Sequence, residues 1–248
     1  MSGHAAGERS RSIGVLGALG ALALVTLSGT LVLGLALPAT YEQRTYSRML
    51  ALHPPIAWTA YVAFGITAAA SILYLIPRTR RPRWDAVANA SAELGVLFTA
   101  LTLITGSLWG RPTWGVWWTW DARLTTTALM LVIYLGYLAQ RSVSDDPAAR
   151  ATRSAFIGLL AVIVVPVNHM AVEWWRTLHQ GRSLASLDPG TTLDNDFIAA
   201  MMLGFLAMTL TYAWLLVMRT KIIESGATLQ EGVLREAIAA RRQEALAQ

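Results

Sequence analysis

The sequence predicts an all-α membrane protein, a bundle of six transmembrane helices with both termini on the cytoplasmic side. Hydrophobic residues make up 54% of the 248 residues and charged residues only 14%, whereas soluble domains carry roughly 25% charged residues. The apolar residues form long runs near the roughly 20 residues that a helix needs to cross the hydrocarbon core. Because these runs are continuous rather than alternating, they exclude the strands of a β-barrel.

Six apolar segments carry this prediction. The first follows Arg9 and Arg11 and resembles a signal peptide, but it is longer than the roughly 7–15 apolar residues of a signal sequence. We therefore expect a retained helix there. After the last segment, a tail at 221–248 is expected to form a polar helix that is solvated or lies on the membrane surface, with partner docking as the alternative. The expected transmembrane helices span about 12–37, 54–76, 86–109, 124–140, 154–173 and 197–218.

The distribution of basic residues predicts the orientation. Most of the 20 Lys and Arg residues fall in one set of alternate connections, which the positive-inside rule assigns to the cytoplasm. Three connections then face the outside, at about 40–53, 110–123 and 174–196. Since the basic residues lie between apolar runs, they favour membrane topology, with lipid as the surroundings, over nucleic-acid binding.

The connection at 110–123 is unusually rich in tryptophan. Residues 109–123 read WGRPTWGVWWTWDAR and hold five of the ten tryptophans in the chain. An aromatic belt explains one or two Trp at each helix end, but not this density. We expect four of these indoles to form a platform for a flat ligand and two other residues, Gly115 and Asp121, to organise the loop. The platform residues are Trp114, Trp117, Trp118 and Trp120.

Several arginines lie on the same predicted outer face. Guanidinium groups pair with carboxylates, and indoles offer polarisable faces for an apolar body. Haem combines a planar apolar macrocycle with two propionates, so it fits this composition. The candidate propionate partners are Arg48, Arg111, Arg123 and Arg176.

Two of the four histidines are candidate axial ligands of the haem iron. His53 precedes two prolines at the start of the second helix, and His179 follows the fifth, so both share the predicted outer face with the Trp loop. Neutral imidazole is the commonest axial ligand where Cys is absent. The chain has no cysteine, so it cannot hold haem covalently through a Cys-x-x-Cys-His motif of its own. We expect non-covalent, b-type haem.

The remaining ionisable candidates are weaker. His169 and Glu173 are four residues apart within the fifth segment and share a helical face, which makes an intramembrane function possible. The alternative is that His169 satisfies carbonyls freed by Pro166. Glu93 in the third segment has no assigned partner, and His4 lies in the N-terminal tail. No nucleophile or acid–base pair is evident, so we expect a carrier rather than an enzyme.

These residues resemble a known family. The stretch from Trp114 to Thr125 resembles the tryptophan-rich "WWD" signature of haem-handling proteins in cytochrome c biogenesis. Residues 172–181, VEWWRTLHQG, and residues 52–54, LHP, are similar to the haem exporter protein C (CcmC) family within that superfamily. The six-helix layout fits too, and the larger haem lyases of the superfamily have more helices.

The resemblance implies a function in the bacterial inner membrane. Members of this family bind haem at the periplasmic face between two axial histidines, which correspond here to His53 and His179. They deliver it to the haem chaperone CcmE and act with the ABC-type proteins CcmA and CcmB and the small protein CcmD. Two alternatives stay open. One is an assembly or docking subunit of the CcmAB complex, and the other is a b-type cytochrome that moves electrons.

Overall fold

The structure, a computed structural model, describes residues 2–39, 45–143, 146–179 and 194–246, with side chains from residue 14 onward. All regular structure in these ranges is helical. Short 3₁₀ helices at Thr45–Ala51 and Arg141–Val143 accompany seven α-helices. The α-helices are α1 (Ser2–Ala36), α2 (His53–Leu75), α3 (Pro82–Trp114), α4 (Ala122–Gln140), α5 (Pro147–Ala161), α6 (Val164–Trp174) and α7 (Asn195–Leu246).

Six stretches of helix are long and apolar enough to cross a membrane, which confirms the predicted six-span, all-α class. The protein is a multi-pass membrane protein. Helices α5 and α6 together form one span, Pro147–Trp174. The break at 162–163 has a local cause, since Pro166 has no N–H to donate to the carbonyl of Val162. Val165 donates to that carbonyl instead, at 3.0 Å.

The Trp-rich connection is shorter than predicted. Helix α3 continues to Trp114, so the expectation of a loop over 110–123 is wrong at 110–114. Pro112 lies near the end of the helix, where the loss of one backbone hydrogen bond and the ring clash disturb little. Gly115 then ends the helix with a φ of 80°, a left-handed conformation that favours glycine. At the other end of the loop, the Asp121 side chain caps the first turn of α4.

The expected tail helix at 221–248 is not a separate element. It continues α7 without a break to Leu246, and residues 247–248 lie outside the described ranges. Side chains from Ser225 to Leu246 are exposed. Helix α7 therefore serves both as the last membrane span and as a projecting helix at the end of the bundle opposite the two histidines.

The core of the bundle is built on α2, α3 and α4. Helices α2 and α3 make the most extensive contact. Phe64 stacks on Tyr134 with a ring separation of 3.5 Å, and a side chain at Gly95 would overlap Phe64. A glycine on α3 thus lets this aromatic pair fill the centre. The three helices form a fixed frame that carries the His53 side chain at one end.

Polar contacts lock the outer helices onto this frame. Glu93, to which no partner was assigned from the sequence, pairs with Arg219 of α7 through contacts of 2.5 and 3.1 Å. Two residues earlier, Ser91 bonds the carbonyl of Ala63 and the hydroxyl of Tyr212, each at 2.6 Å. These contacts join α2, α3 and α7 and fix the helix that leads up to the Trp-rich loop.

Candidate functional site

The two candidate iron ligands lie at the same end of the bundle, called here the histidine end. His53 is the first residue of α2, and His179 lies five residues beyond the end of α6. The imidazoles are close enough to interact electrostatically, and the guanidinium of Arg123, in the first turn of α4, interacts with both. The fold therefore brings together two residues that are far apart in the chain, with a cation beside them.

A hydroxyl on α3 determines which nitrogen of His53 carries the proton. Nδ1 of His53 lies 2.8 Å from Oγ1 of Thr105. Thr105 donates its single proton to the carbonyl of Leu101, at 2.7 Å, so its oxygen accepts from His53. Nδ1 is therefore the protonated nitrogen of a neutral ring, and Nε2 keeps the lone pair that a metal needs.

The His53 ring is confined by two further residues of α3. Trp109 meets it edge-to-face with ring centroids 5.7 Å apart. A methyl group added at Gly106 would lie 3.1 Å from Cε1 of His53, closer than ordinary van der Waals contact. The absence of a side chain at Gly106 therefore provides the space in which this ring sits.

Asp121 holds the second histidine. Its buried carboxylate caps α4 by accepting from the backbone N–H of Arg123, at 2.8 Å, and of Leu124, at 3.2 Å. The same carboxylate accepts from the Thr177 hydroxyl and from the backbone N–H of Leu178, at 2.7 Å. Nδ1 of His179 lies 3.3 Å from its Oδ1 atom. The Asp121 side chain thus joins the start of α4 to the residues after α6 that carry His179.

The charges in this pair follow from burial and hydrogen bonding. Burial alone would raise the pKa of Asp121, but the hydrogen bonds from Thr177, Leu178 and Leu124 outweigh it and lower that pKa. Burial is also the largest effect on His179 and lowers its pKa, against the opposing effect of Asp121. The contact is then a hydrogen bond from a neutral imidazole to a carboxylate. As with His53, Nδ1 carries the proton and Nε2 keeps its lone pair.

The four candidate propionate partners are not equivalent. Arg48 donates to the carbonyl of Leu37 at 2.9 Å, and Arg111 donates to the carbonyl of Gly115 at the end of α3. Arg176 is exposed. Of these four arginines in the described structure, only Arg123 is close enough to both imidazoles to interact with them electrostatically. The geometry therefore favours Arg123 as the partner of an anionic group between the histidines.

The indoles of the loop are arranged at angles rather than as one flat surface. Trp114 meets the ring of His179 edge-to-face with centroids 4.9 Å apart. Trp118 and Trp120 are almost perpendicular, at 87°, so they cannot both stack on one planar ligand in this arrangement. Trp117 and Trp120 are exposed, at 58% and 81%. Trp117 and Trp120 therefore present large apolar ring faces to the surroundings of the protein.

A buried asparagine beneath the site is a residue that sequence reasoning missed. Asn168 of α6 is 1% exposed. It donates to the carbonyl of Arg123 at 3.1 Å and to the hydroxyls of Thr126 and Thr127 at 2.7 and 2.9 Å, and it accepts from the Tyr61 hydroxyl. It thus connects α2, α4 and α6 directly below both histidines. An amide within a predicted membrane span was the available signal.

The weaker candidates are on α6 and in the N-terminal tail. The ring of His169 contacts that of Tyr61, with centroids 6.1 Å apart, and both His169 and Glu173 are exposed on α6. The side chain of His4 lies outside the described residues. An intramembrane function for His169 and Glu173 stays a hypothesis.

Comparison with known proteins identifies the family. The family model described as "Heme exporter protein C", CcmC, matches residues 8–231. The chain belongs to the CcmC family. It is 36% identical over 201 residues to the heme exporter protein C of Bradyrhizobium diazoefficiens, covering 81% of this chain and 75% of that relative. It is also 36% identical over 202 residues to the protein of the same name from Haemophilus influenzae, covering 81% of each.

CcmC relatives extend beyond bacteria. The chain is 32% identical over 202 residues to a putative cytochrome c biosynthesis ccmC-like mitochondrial protein of Arabidopsis thaliana, covering 82% of this chain and 75% of the relative. The resemblance inferred from the Trp-rich loop and its flanking histidines is therefore confirmed at the level of the family.

Proposed function

We propose that this protein binds haem on the periplasmic face of the bacterial inner membrane and delivers it to the haem chaperone CcmE for cytochrome c maturation. Membership of the heme exporter protein C family supports a role in haem handling. The chaperone CcmE and the complex of CcmA, CcmB and CcmD are the partners that the family resemblance implies. Haem is the cargo of this site rather than a resident cofactor.

One observation carries the proposal. Each of two neighbouring imidazoles directs Nδ1 at oxygen atoms of the protein. The partner is Thr105 for His53, and for His179 it is the carboxylate of Asp121 with the hydroxyl of Thr177. Metal-ligating histidines almost always engage their second nitrogen in this way, which sets the tautomer and the ring orientation. The described residues make no hydrogen bond to either Nε2, and neither atom is among the buried groups that lack a partner. No described residue therefore occupies the lone pair of either Nε2, which leaves both nitrogens available as ligands.

The rest of the histidine end suits the remainder of the haem molecule. Arg123 provides a positive charge beside both imidazoles for a propionate. The exposed Trp117 and Trp120 offer apolar surface to the macrocycle. The described residues contain no cluster of three or more His, Cys, Asp or Glu that could hold a bare metal ion. Two histidines therefore suit an iron whose other ligands come from the porphyrin of the haem.

The chain's own residues bind, orient and present the haem. His53 and His179 supply axial nitrogen ligands, and Thr105 and Asp121 orient the rings. Covalent attachment would be supplied by the chaperone. The electron-transfer alternative expects two histidines that face each other inside the bundle, whereas His53 and His179 both lie at the histidine end.

The test is haem binding and transfer by the purified full-length chain. We expect the wild-type chain to bind haem with a low-spin optical spectrum and to pass it to purified CcmE. The His53→Ala/His179→Ala double variant should lose that spectrum and that transfer, whereas His4→Ala, the matched control, should keep both. An unchanged haem content and spectrum in the double variant would disprove the ligand assignment. A wild-type chain that retains its haem in the presence of CcmE would disprove the delivery step.

A further inference from the structure

We infer that the two histidines have different tasks: His53 is the fixed ligand, and His179 is the exchangeable ligand, held in place by the carboxylate of Asp121. The inference rests on the proposed function, in which both residues bind the haem iron. It goes further by assigning which of the two ligands dissociates from the iron first. The difference lies in how the protein holds each ring.

His53 is fixed by helices. It occupies the first turn of α2, where Pro54 and Pro55 restrict the backbone. Its ring is held by Thr105, Gly106 and Trp109, all in the outer part of α3. Since α2 and α3 make the most extensive helix contact in the bundle, neither the ring nor its supports can move without disturbing the core.

The backbone just before His53 is confined as well. Ala51 is fully buried, and a side chain at Gly204 of α7 would overlap its carbonyl oxygen. Helix α7 therefore packs directly on the turn that leads into α2. This close approach leaves no room for the start of α2 to shift toward α7.

His179 is held differently. It lies at the end of the His179 segment, defined as residues 175–179, which follows α6 in a non-helical conformation. Trp175, Arg176 and Leu178 are all exposed, so little apolar packing anchors this segment. Trp175 itself is extended, with φ −129° and ψ 158°, and its N–H makes the last backbone bond back to α6.

The recorded anchors of the His179 segment converge on one carboxylate. Asp121 accepts from the Thr177 hydroxyl, from the Leu178 N–H at 2.7 Å and from Nδ1 of His179 at 3.3 Å. The edge contact with Trp114 is the other recorded contact of the His179 ring with a residue outside the segment. Among the described residues, release of the Asp121 contacts therefore frees the ligand, with Trp175 as the hinge.

The framework would survive that release. Helices α4 and α6 are joined below the site by Asn168, whose contacts with Arg123, Thr126 and Thr127 do not involve Asp121. The supports of His53 lie on α3 and are equally independent. Movement of the His179 segment thus opens one axial side of the site and leaves the opposite ligand in place.

The test uses glycine substitutions and imidazole as the probe. We expect His179→Gly to retain haem as a five-coordinate, high-spin complex that added imidazole converts back to low spin. His53→Gly should lose about tenfold or more in haem affinity, because the remaining ligand, His179, is on the His179 segment that Asp121 holds. The measurements are the haem-to-protein ratio and the optical and electron paramagnetic resonance spectra. Elution volume and helix content by circular dichroism establish that each variant is folded.

A second measurement isolates Asp121. With both histidines present, Asp121→Asn should raise the rate at which imidazole displaces a protein ligand by about tenfold, in line with the 10- to 100-fold effects of groups that support metal ligands. Asp121→Glu should partly restore the wild-type rate. Asp146→Asn, which alters the cap of α5 at the other end of the bundle, is the matched control and should leave the rate unchanged.

The outcomes separate the inference from the proposed function. Equal haem loss in both glycine variants, greater loss in His179→Gly, or an unchanged exchange rate in Asp121→Asn would overturn the division of tasks. These results would still leave haem bound between two histidines in the wild type. A wild-type chain without haem, or a low-spin spectrum that persists in both glycine variants without imidazole, would instead overturn the proposed function.

Discussion

Thr105 accepts a hydrogen bond from Nδ1 of His53, at 2.8 Å, because its own proton is already donated to the carbonyl of Leu101. A threonine nine residues before the end of α3 thereby sets the tautomer of a histidine on α2. The same logic operates on His179, where the acceptor is a carboxylate. The orientation of both rings is thus encoded in residues that would not themselves touch the haem.

Replacing Thr105 tests this relationship. Thr105→Val keeps the shape of the side chain but removes the acceptor, leaving the Nδ1–H of His53 without its partner. We expect haem affinity to fall about tenfold, with recovery in Thr105→Ser. Haem titration followed by absorbance measures both. Thr113→Val is the matched control, since the Thr113 hydroxyl is exposed and bonds only a carbonyl of its own helix. An affinity loss in the control as large as in Thr105→Val would contradict the assignment.

Arg123 is expected to recognise a propionate. Arg123→Gln should weaken haem binding by roughly tenfold to a hundredfold, the effect of losing a charged hydrogen bond of about 1.5–3 kcal/mol. The low-spin spectrum should persist, because both axial ligands remain. Haem dimethyl ester, which lacks the negative charges, should bind the wild type and the variant equally. The exposed Arg78, in the connection between α2 and α3 at the opposite end of the bundle, provides the control Arg78→Gln. A wild-type chain that binds the ester as tightly as haem would contradict this role.

Asn168 is expected to act through the framework rather than on the haem. Asn168→Val leaves the hydroxyls of Tyr61, Thr126 and Thr127 without their shared partner, so we expect a loss of about 1–2 kcal/mol in stability. Thermal unfolding in detergent, followed by circular dichroism, measures the effect. Thr209→Val is the control, because that exposed hydroxyl bonds only within α7. Equal melting temperatures in Asn168→Val and the wild type would show that the cluster contributes nothing.

The structure brings together two residues that scarcity marked in the sequence. His53 and His179 stood out because histidine is rare in this chain and both were predicted to share a face with the Trp loop, whereas Arg123 was one of four candidate arginines. Thr105 and Asn168 did not stand out, since threonine and asparagine occur in apolar helices for many reasons. Their roles depend on partners 52 and 107 positions away in the chain. No local pattern encodes such pairings.

The boundaries of the loop were mispredicted for a physical reason. Gly110 and Pro112 are both poor helix formers, and their proximity indicated a loop. Helix α3 nevertheless continues through them to Trp114, because packing outweighs intrinsic propensity near a helix end. Gly110 is buried, and the ring of Trp114 packs against it. The left-handed Gly115, rather than Gly110, ends the helix.

The Glu93–Arg219 pair is expected to support stability without affecting haem. It joins α3 to α7 in the half of α3 away from the loop. Glu93→Gln and Arg219→Gln should each lower the melting temperature, and the double variant should lose less than the two single losses combined. Haem affinity should stay at the wild-type value in all three. Additive losses would show that the two charges are not coupled, and reduced haem affinity would show that the pair communicates with the site.

The central claim is that one haem iron binds both His53 and His179 through their Nε2 atoms. Electron paramagnetic resonance of the ferric haem-loaded, full-length chain, with ¹⁵N-labelled histidine, tests it most directly. We expect a low-spin signal with hyperfine coupling to two imidazole nitrogens in the wild type, and coupling to one in each single glycine variant. Coupling to two labelled nitrogens that persists in the His53→Gly/His179→Gly variant would contradict the claim.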